Sequence, residues 1–103
     1  MAVIWQFEFS APLWLWTSGT GGWHFVTVPE DVSDAITDLT AGRRHGFGSV
    51  RVAVRVGSTC WRTSIFPDSK AGTYQLPVKK SVRQAECLQP GDVVPVHLEL
   101  VDP

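Results

Sequence analysis

Arg51, Arg55, Arg62, Lys79, Lys80 and Arg83 are the side chains of this 103-residue sequence best suited, by type and spacing, to hold a ligand. Arg51 and Arg55 lie in an alternating run, so they share one face of a strand. Guanidinium groups on neighbouring strands can grip a carboxylate or phosphate through paired N–H donors. These residues belong to a wider asymmetry. All nine Lys and Arg fall between Arg43 and Arg83, where Asp68 is the sole acid, so that stretch carries +8 in a chain whose total is -1. The other nine carboxylates occupy residues 1–42 and 84–103. Either the bases form an anion-binding surface, with Trp61 or Tyr74 stacking nearby, or they pair within the fold with Glu8, Asp34, Asp38, Glu86 or Glu99. Arg51, Arg55, Arg62, Lys79 and Arg83 are the anion-binding candidates of the first reading.

Tryptophan supplies the second candidate site. In Leu13-Trp14-Leu15-Trp16 both faces of a strand are apolar, so something must cover them, or they face a ligand. Trp14, Trp16 and Trp23, with Trp61 and Tyr74, are the candidates for an aromatic pocket near the glycine-rich stretch 17–22. The alternative is that they pack under a helix or at a homodimer contact. Nucleophiles and bases, by contrast, are scattered. Cys60, Ser64, His24, His45 and His97 form no His-x-x-x-His, Gly-x-Ser-x-Gly, phosphate-loop or Cys-x-x-Cys spacing. We therefore assign no catalytic residue, no metal site and no cofactor, and read Cys60 and Cys87 as free, packed thiols. An enzyme or biosynthetic accessory that works by shaping a tryptophan-lined pocket stays open as an alternative. Nucleic acid is disfavoured as a partner, because its binders are usually basic and this chain has a pI near 6.2.

The elements that must position these residues follow from periodicity. Residues 1–103 are the length of one domain with one core, and 44% hydrophobic against 18% charged residues is the composition of a folded chain. No apolar run approaches the ~20 residues of a membrane span, and the start lacks a basic segment and cleavage site, so a cytoplasmic protein with no membrane partner is expected. Val3, Trp5, Phe7 and Phe9 alternate as the inner face of a first strand, with a break at Ser10-Ala11-Pro12 before the tryptophan strand. A hairpin through Gly19, Gly21 and Gly22 returns along residues 23–28. Pro29 opens a helix with Val32, Ala35, Ile36 and Leu39 on one face and Gly42 as its stop, and Arg43-Arg44-His45-Gly46 leads into the next strand.

Residues 50–56 are the cleanest strand, with four valines on one face and Arg51, Ala53 and Arg55 on the other. Residues 59–66 pair back, with Trp61, Thr63 and Ile65 opposed to Cys60, Arg62 and Ser64. A short strand at 73–76, a helix at 78–88 with Val82, Ala85 and Val78 inward, and a strand at 93–101 complete the chain. Pro95 cannot donate to a ladder, so the last strand is at an edge or bulged there. About six strands and two short helices predict a mainly β fold, a small six-stranded closed or nearly closed barrel, since an open sheet exposes long apolar edges.

The order of these features resembles a known family. Val-Arg-Val-Ala-Val-Arg-Val-Gly at 50–57, Trp61 with Thr63-Ser64-Ile65-Phe66, Gly-Thr-Tyr-Gln-Leu-Pro at 72–77, Val82-Arg83, Leu88 and Gly91-Asp92 before a valine-rich strand are similar to the bacterial domain-of-unknown-function family numbered 1905. The resemblance covers residues 7–99, and Trp14 and Trp16 lie outside its pattern. It implies a six-stranded barrel of Greek-key type, alone or fused to a YdeI-like bacteriocin-protection domain, and it implies no activity. The expected function is a binding module for an anionic small molecule or acidic peptide at a basic, aromatic-bearing surface. The tryptophan-pocket enzyme and a homodimer or protein-interaction module are the alternatives.

Overall fold

The computed structural model describes residues 5–19, 21–41 and 48–101. The expectations for Val3, Gly42 and the Arg43-Arg44-His45-Gly46 segment lie outside the described residues. Strands β1 (Gln6–Ser18), β2 (Gly21–Thr27), β3 (Val50–Val56), β4 (Thr59–Asp68), β5 (Thr73–Pro77) and β6 (Val93–Leu100) close into an antiparallel barrel ordered β1-β2-β5-β4-β3-β6. Helix α1 (Glu30–Thr40) links β2 to β3, and α2 (Lys80–Ala85) links β5 to β6. The β3-β4-β5 meander with β6 returning beside β3 is the Greek-key order that the resemblance implies. Closure leaves no long apolar edge exposed to pair with another chain. Among the described residues, no helix is long and apolar enough to cross a membrane.

Alternation decides what the barrel encloses. Val50, Val52, Val54 and Val56 of β3 and Val94, Val96, Leu98 and Leu100 of β6 all point inward and are buried, as the period-2 pattern predicts. Leu13, Val26, Ile65 and Leu76 continue this core, and Trp5, Phe7, Phe9 and Ala11 pack against it. At α1, Ile36 is fully buried and Val32 and Leu39 lie against the core. The buried residues of the helix also include two polar ones that hydrophobic periodicity does not select, Ser33 and Thr40.

Several boundaries differ from the sequence reading, each for a local reason. The Ser10-Ala11-Pro12 segment does not break the chain: β1 runs through it as one 13-residue strand that changes partner. Residues up to Pro12 pair with β6, and those from Leu13 pair with β2. Leu13 donates to Asp92 O across the β6 side, at 2.9 Å, so Pro12 turns its missing donor the other way, just ahead of the first β1–β2 pair. Pro95 obeys the same rule. Leu100 donates to Trp5 O, just ahead of β1, while Val101, just past β6, donates to Arg51 O in β3, so the N–H groups of odd-numbered β6 residues face β3. The β3–β6 ladder ends at the Arg55–His97 pair, and Pro95 lies beyond it, at a local edge.

The hairpin turn is tighter than the glycine content suggests, with Gly19 at φ +58° and Gly21 and Gly22 already in β2. Pro29 precedes α1 at its N-cap instead of opening it. The second helix is shorter than residues 78–88. Val78 still donates to His24 O, at 2.9 Å, as an extension of β5, and Cys87 ends α2 in a left-handed conformation, φ 55°. Ala85, expected inward, is exposed, because six helical residues present only Val82 to the core. Both thiols, expected to be packed, are exposed: Cys60 lies on the outward face of β4, and Cys87 forms the helix stop.

Candidate functional site

Three neighbouring surfaces collect the side chains singled out in the sequence. The first is a cleft of about 420 Å³ at the end of the barrel beside α2. The inward alternation of β2 and β4 brings His24, Trp61 and Thr63 to it, and Lys79 and Arg83 reach it from α2 and its approach. Arg62 joins from the outer side of β4. Arg83 is oriented by its Nε, which donates to Val78 O at 3.2 Å. The cleft thus gathers three cations, and no Asp or Glu is among the described residues that line it. His24 titrates below its usual 6.5, first because burial strips water from the charged ring and then because the Arg83 guanidinium repels a second positive charge. The ring is therefore neutral at pH 7 and serves as a hydrogen-bonding group.

The second surface is a cleft of about 610 Å³ on the outer face of β1, β2, β4 and β5. Trp14 pairs across strands with Phe25, and Trp16 with Trp23. Trp14 and Phe25 are tilted at 37° with centroids 5.3 Å apart, and Trp23 and Phe25 stack at 14° and 6.3 Å. Phe66 of β4 completes the wall. Trp16 is 47%, Trp23 58% and Phe66 46% exposed. Behind the rings runs a chain of hydrogen bonds. Trp14 Nε1 donates to Thr27 Oγ1 at 3.0 Å, Thr27 Oγ1 to Gln75 Oε1 at 2.8 Å, and Gln75 Nε2 to Asp68 Oδ2 at 3.3 Å. Asp68 Oδ1 also accepts from the backbone N–H of Lys70 and Ala71. The indole of Trp14 is thereby fixed in one orientation.

The third surface is the outer face of β3, β4 and β6, where charges of both signs meet. Arg55 lies opposite Cys60 and His97, and Ala53 opposite Arg62 and Glu99. His97 Nδ1 is 3.2 Å from Glu8 Oε1. That is the one contact within 4.0 Å between a basic side chain and a carboxylate among the described residues; no described Lys or Arg comes that close to a carboxylate.

Of the anion-binding candidates, then, Arg62, Lys79 and Arg83 come together, while Arg51 sits exposed opposite Ser64 and Arg55 faces the mixed-charge surface. Lys80 is exposed and lines none of these clefts. Of the aromatic candidates, Trp14, Trp16 and Trp23 share one cleft. Trp61 and Tyr74 point into the barrel instead; Tyr74 is buried with its hydroxyl 3.3 Å from Thr37 Oγ1. Phe25, Phe66 and His24 line these clefts although neither charge clustering nor motif spacing selects them. For the two phenylalanines the outward parity they share with Trp23 and Arg62 was an available signal. His24 reaches the cleft only because the barrel ends there.

Fold and surface together define a small closed antiparallel barrel with a basic cleft at one end and an aromatic cleft on its side. The chain belongs to the family described as Domain of unknown function (DUF1905), which it matches over residues 9–98. No curated protein matches the sequence.

Proposed function

We propose that this barrel is a binding module for an anionic small molecule or the side chains of an acidic peptide, held at the end cleft by Arg62, Lys79 and Arg83. The observation that carries the reading is the gathering of three cations with no carboxylate among the described lining residues, in a chain with net charge -1. Cations crowded in a partly desolvated cleft repel one another, and an incoming anion relieves that repulsion. The Nη groups of Arg62 and Arg83 supply paired donors, Lys79 a mobile charge, and Thr63 and neutral His24 further hydrogen bonds. Two exposed, unpaired thiols fit a reducing compartment, and we place the protein in the bacterial cytoplasm.

The test is isothermal titration with inorganic phosphate, dicarboxylates and acidic peptides at low and at physiological salt. Binding is expected to weaken with salt, and Arg62→Gln/Lys79→Gln/Arg83→Gln is expected to abolish it. Unfolding free energy should change by no more than about 1–2 kcal/mol, as for partly exposed side chains. Equal anion affinity in the triple variant, or no anion binding at either salt concentration, refutes the proposal.

One observation favours a second reading. Trp14, Trp16 and Trp23 wall a single cleft of a volume suited to an apolar ligand, as a binder or as a pocket that promotes reaction by shape. Salt-indifferent binding of neutral aromatic compounds supports that reading, and a concentration-dependent dimer in light scattering supports a homodimer surface on the same face.

A further inference from the structure

We infer that the end cleft and the aromatic cleft are two halves of one site, and that its ligand is an aromatic acid: an anionic head group joined to a flat apolar body. The inference rests on the anion-binding reading and adds the chemical class of the ligand. Its carrying observation is that Trp23, Phe66 and Pro77 line both clefts. They form a shared rim, so a molecule anchored on Arg62, Lys79 and Arg83 can lie directly across it onto Trp16 and Phe25.

The chemistry of the second half follows from its hydrogen bonds. The polar atoms behind the rings are committed to one another: the Trp14 N–H to Thr27, the Thr27 hydroxyl to Gln75, the Gln75 amide to Asp68. A sugar needs several free donors and acceptors beside its stacking face; those behind the rings are engaged, and the other polar side chains, Ser69 and Lys70, lie on the exposed turn after β4. What the cleft offers is ring surface held in a fixed orientation, with Trp23 and Phe66 more exposed than aromatic side chains usually are. Rings stacked at 14° favour a planar body in offset contact over a flexible chain. The volumes, about 420 and 610 Å³, each lie within the range of small-ligand pockets, which favours a compact molecule over a second protein surface.

The experiment uses three probes in calorimetry: inorganic phosphate as the head alone, 2-naphthol as the body alone, and 2-naphthyl phosphate as both. The joined probe is expected to bind about tenfold or more tightly than phosphate, equivalent to about 1.4 kcal/mol, with a negative heat-capacity change. It should also shift the indole N–H resonances of Trp16 and Trp23. Trp16→Ala, at an exposed position that lines the aromatic cleft but not the end cleft, should return 2-naphthyl phosphate to the affinity of phosphate and leave phosphate binding unchanged. The Arg62→Gln/Lys79→Gln/Arg83→Gln variant should weaken both anions. If 2-naphthyl phosphate binds no more tightly than phosphate, or Trp16→Ala weakens both equally, the bipartite site is overturned while anion binding stands. If neither anion binds, both conclusions fall. If 2-naphthol binds as well as its phosphate, the head group contributes nothing and the aromatic cleft acts alone.

Discussion

Ser33→Ala removes a hydroxyl that completes the barrel's hydrogen bonding, and its cost can be worked from the geometry. The β2–β5 ladder runs from Phe25–Pro77 to Thr27–Gln75, and Val28 opposite Tyr74 is the next position. Val28 N–H reaches Tyr74 O directly at 2.9 Å. The reciprocal bond is spliced through α1: Tyr74 N–H donates to Ser33 Oγ at 3.1 Å, and Ser33 Oγ donates to Val28 O at 3.1 Å. Ser33 is 1% exposed, so water cannot replace it without opening the helix–barrel contact. Alanine leaves the Tyr74 N–H buried and unpaired, a loss of about 1–3 kcal/mol, and takes a partner from the Val28 carbonyl as well. Alanine's better helix propensity returns about 0.5 kcal/mol. The net expectation is a destabilisation of about 2 kcal/mol, or a fall in Tm of about 10 °C for a domain of this size. Urea unfolding measures it: the midpoint should fall at unchanged m, and hydrogen exchange at the Tyr74 amide should accelerate by more than the loss of global stability accounts for. A change under about 0.5 kcal/mol with Tyr74 still protected would show that the strands close directly, and would refute the bridging role.

Four further outcomes are expected. Cys87→Gly should raise stability by about 0.5–1 kcal/mol in the same urea assay, because Cys87 ends α2 at φ 55°, a conformation glycine adopts without a Cβ penalty, and its exposed side chain gives up little packing. Gly57→Ala should cost about 2–3 kcal/mol: Gly57 is at φ +60°, and an added Cβ would collide with the Glu86 carboxylate, whose Oε2 accepts from Thr59 Oγ1 at 2.6 Å. His24 sets a pH dependence. Its folded-state pKa lies below 6.5, so between that lowered value and 6.5 the unfolded chain binds more protons than the folded one. Stability should therefore be lost as pH falls from 6.5 through the folded pKa, and His24→Asn should flatten that part of a Tm-against-pH profile. An anion in the end cleft offsets the Arg83 charge, raises the His24 pKa, and should bind more tightly at pH 6 than at pH 8, as calorimetry at the two pH values would report.

Pattern in the chain determined most of the barrel. Four valines alternating with Arg51, Ala53 and Arg55, and Val94 to Leu100 alternating with Pro95, His97 and Glu99, fix strand type and facing, because a side-chain period of two leaves one way to bury each set. The family resemblance rests on the same residues in the same order. Less of the candidate site was legible. Sequence could say that Arg51 and Arg55 share a strand face with each other, and that Trp61 faces away from Arg62. It could not say that β1 changes partners at Pro12 instead of stopping, since that depends on where β2 and β6 end. Ser33 was hidden because its role is to satisfy the backbone of two distant strands, a demand that hydrophobic periodicity does not register. The gathering of Arg62, Lys79 and Arg83 beside His24, and of Phe66 beside Trp23, joins residues from β2, β4, α2 and the N-cap of α2. Sequence supplied the side chains and the face each occupies. Only closure of the barrel decided which faces meet at its end, because the neighbours of a strand are set by long-range pairing and not by the residues within it.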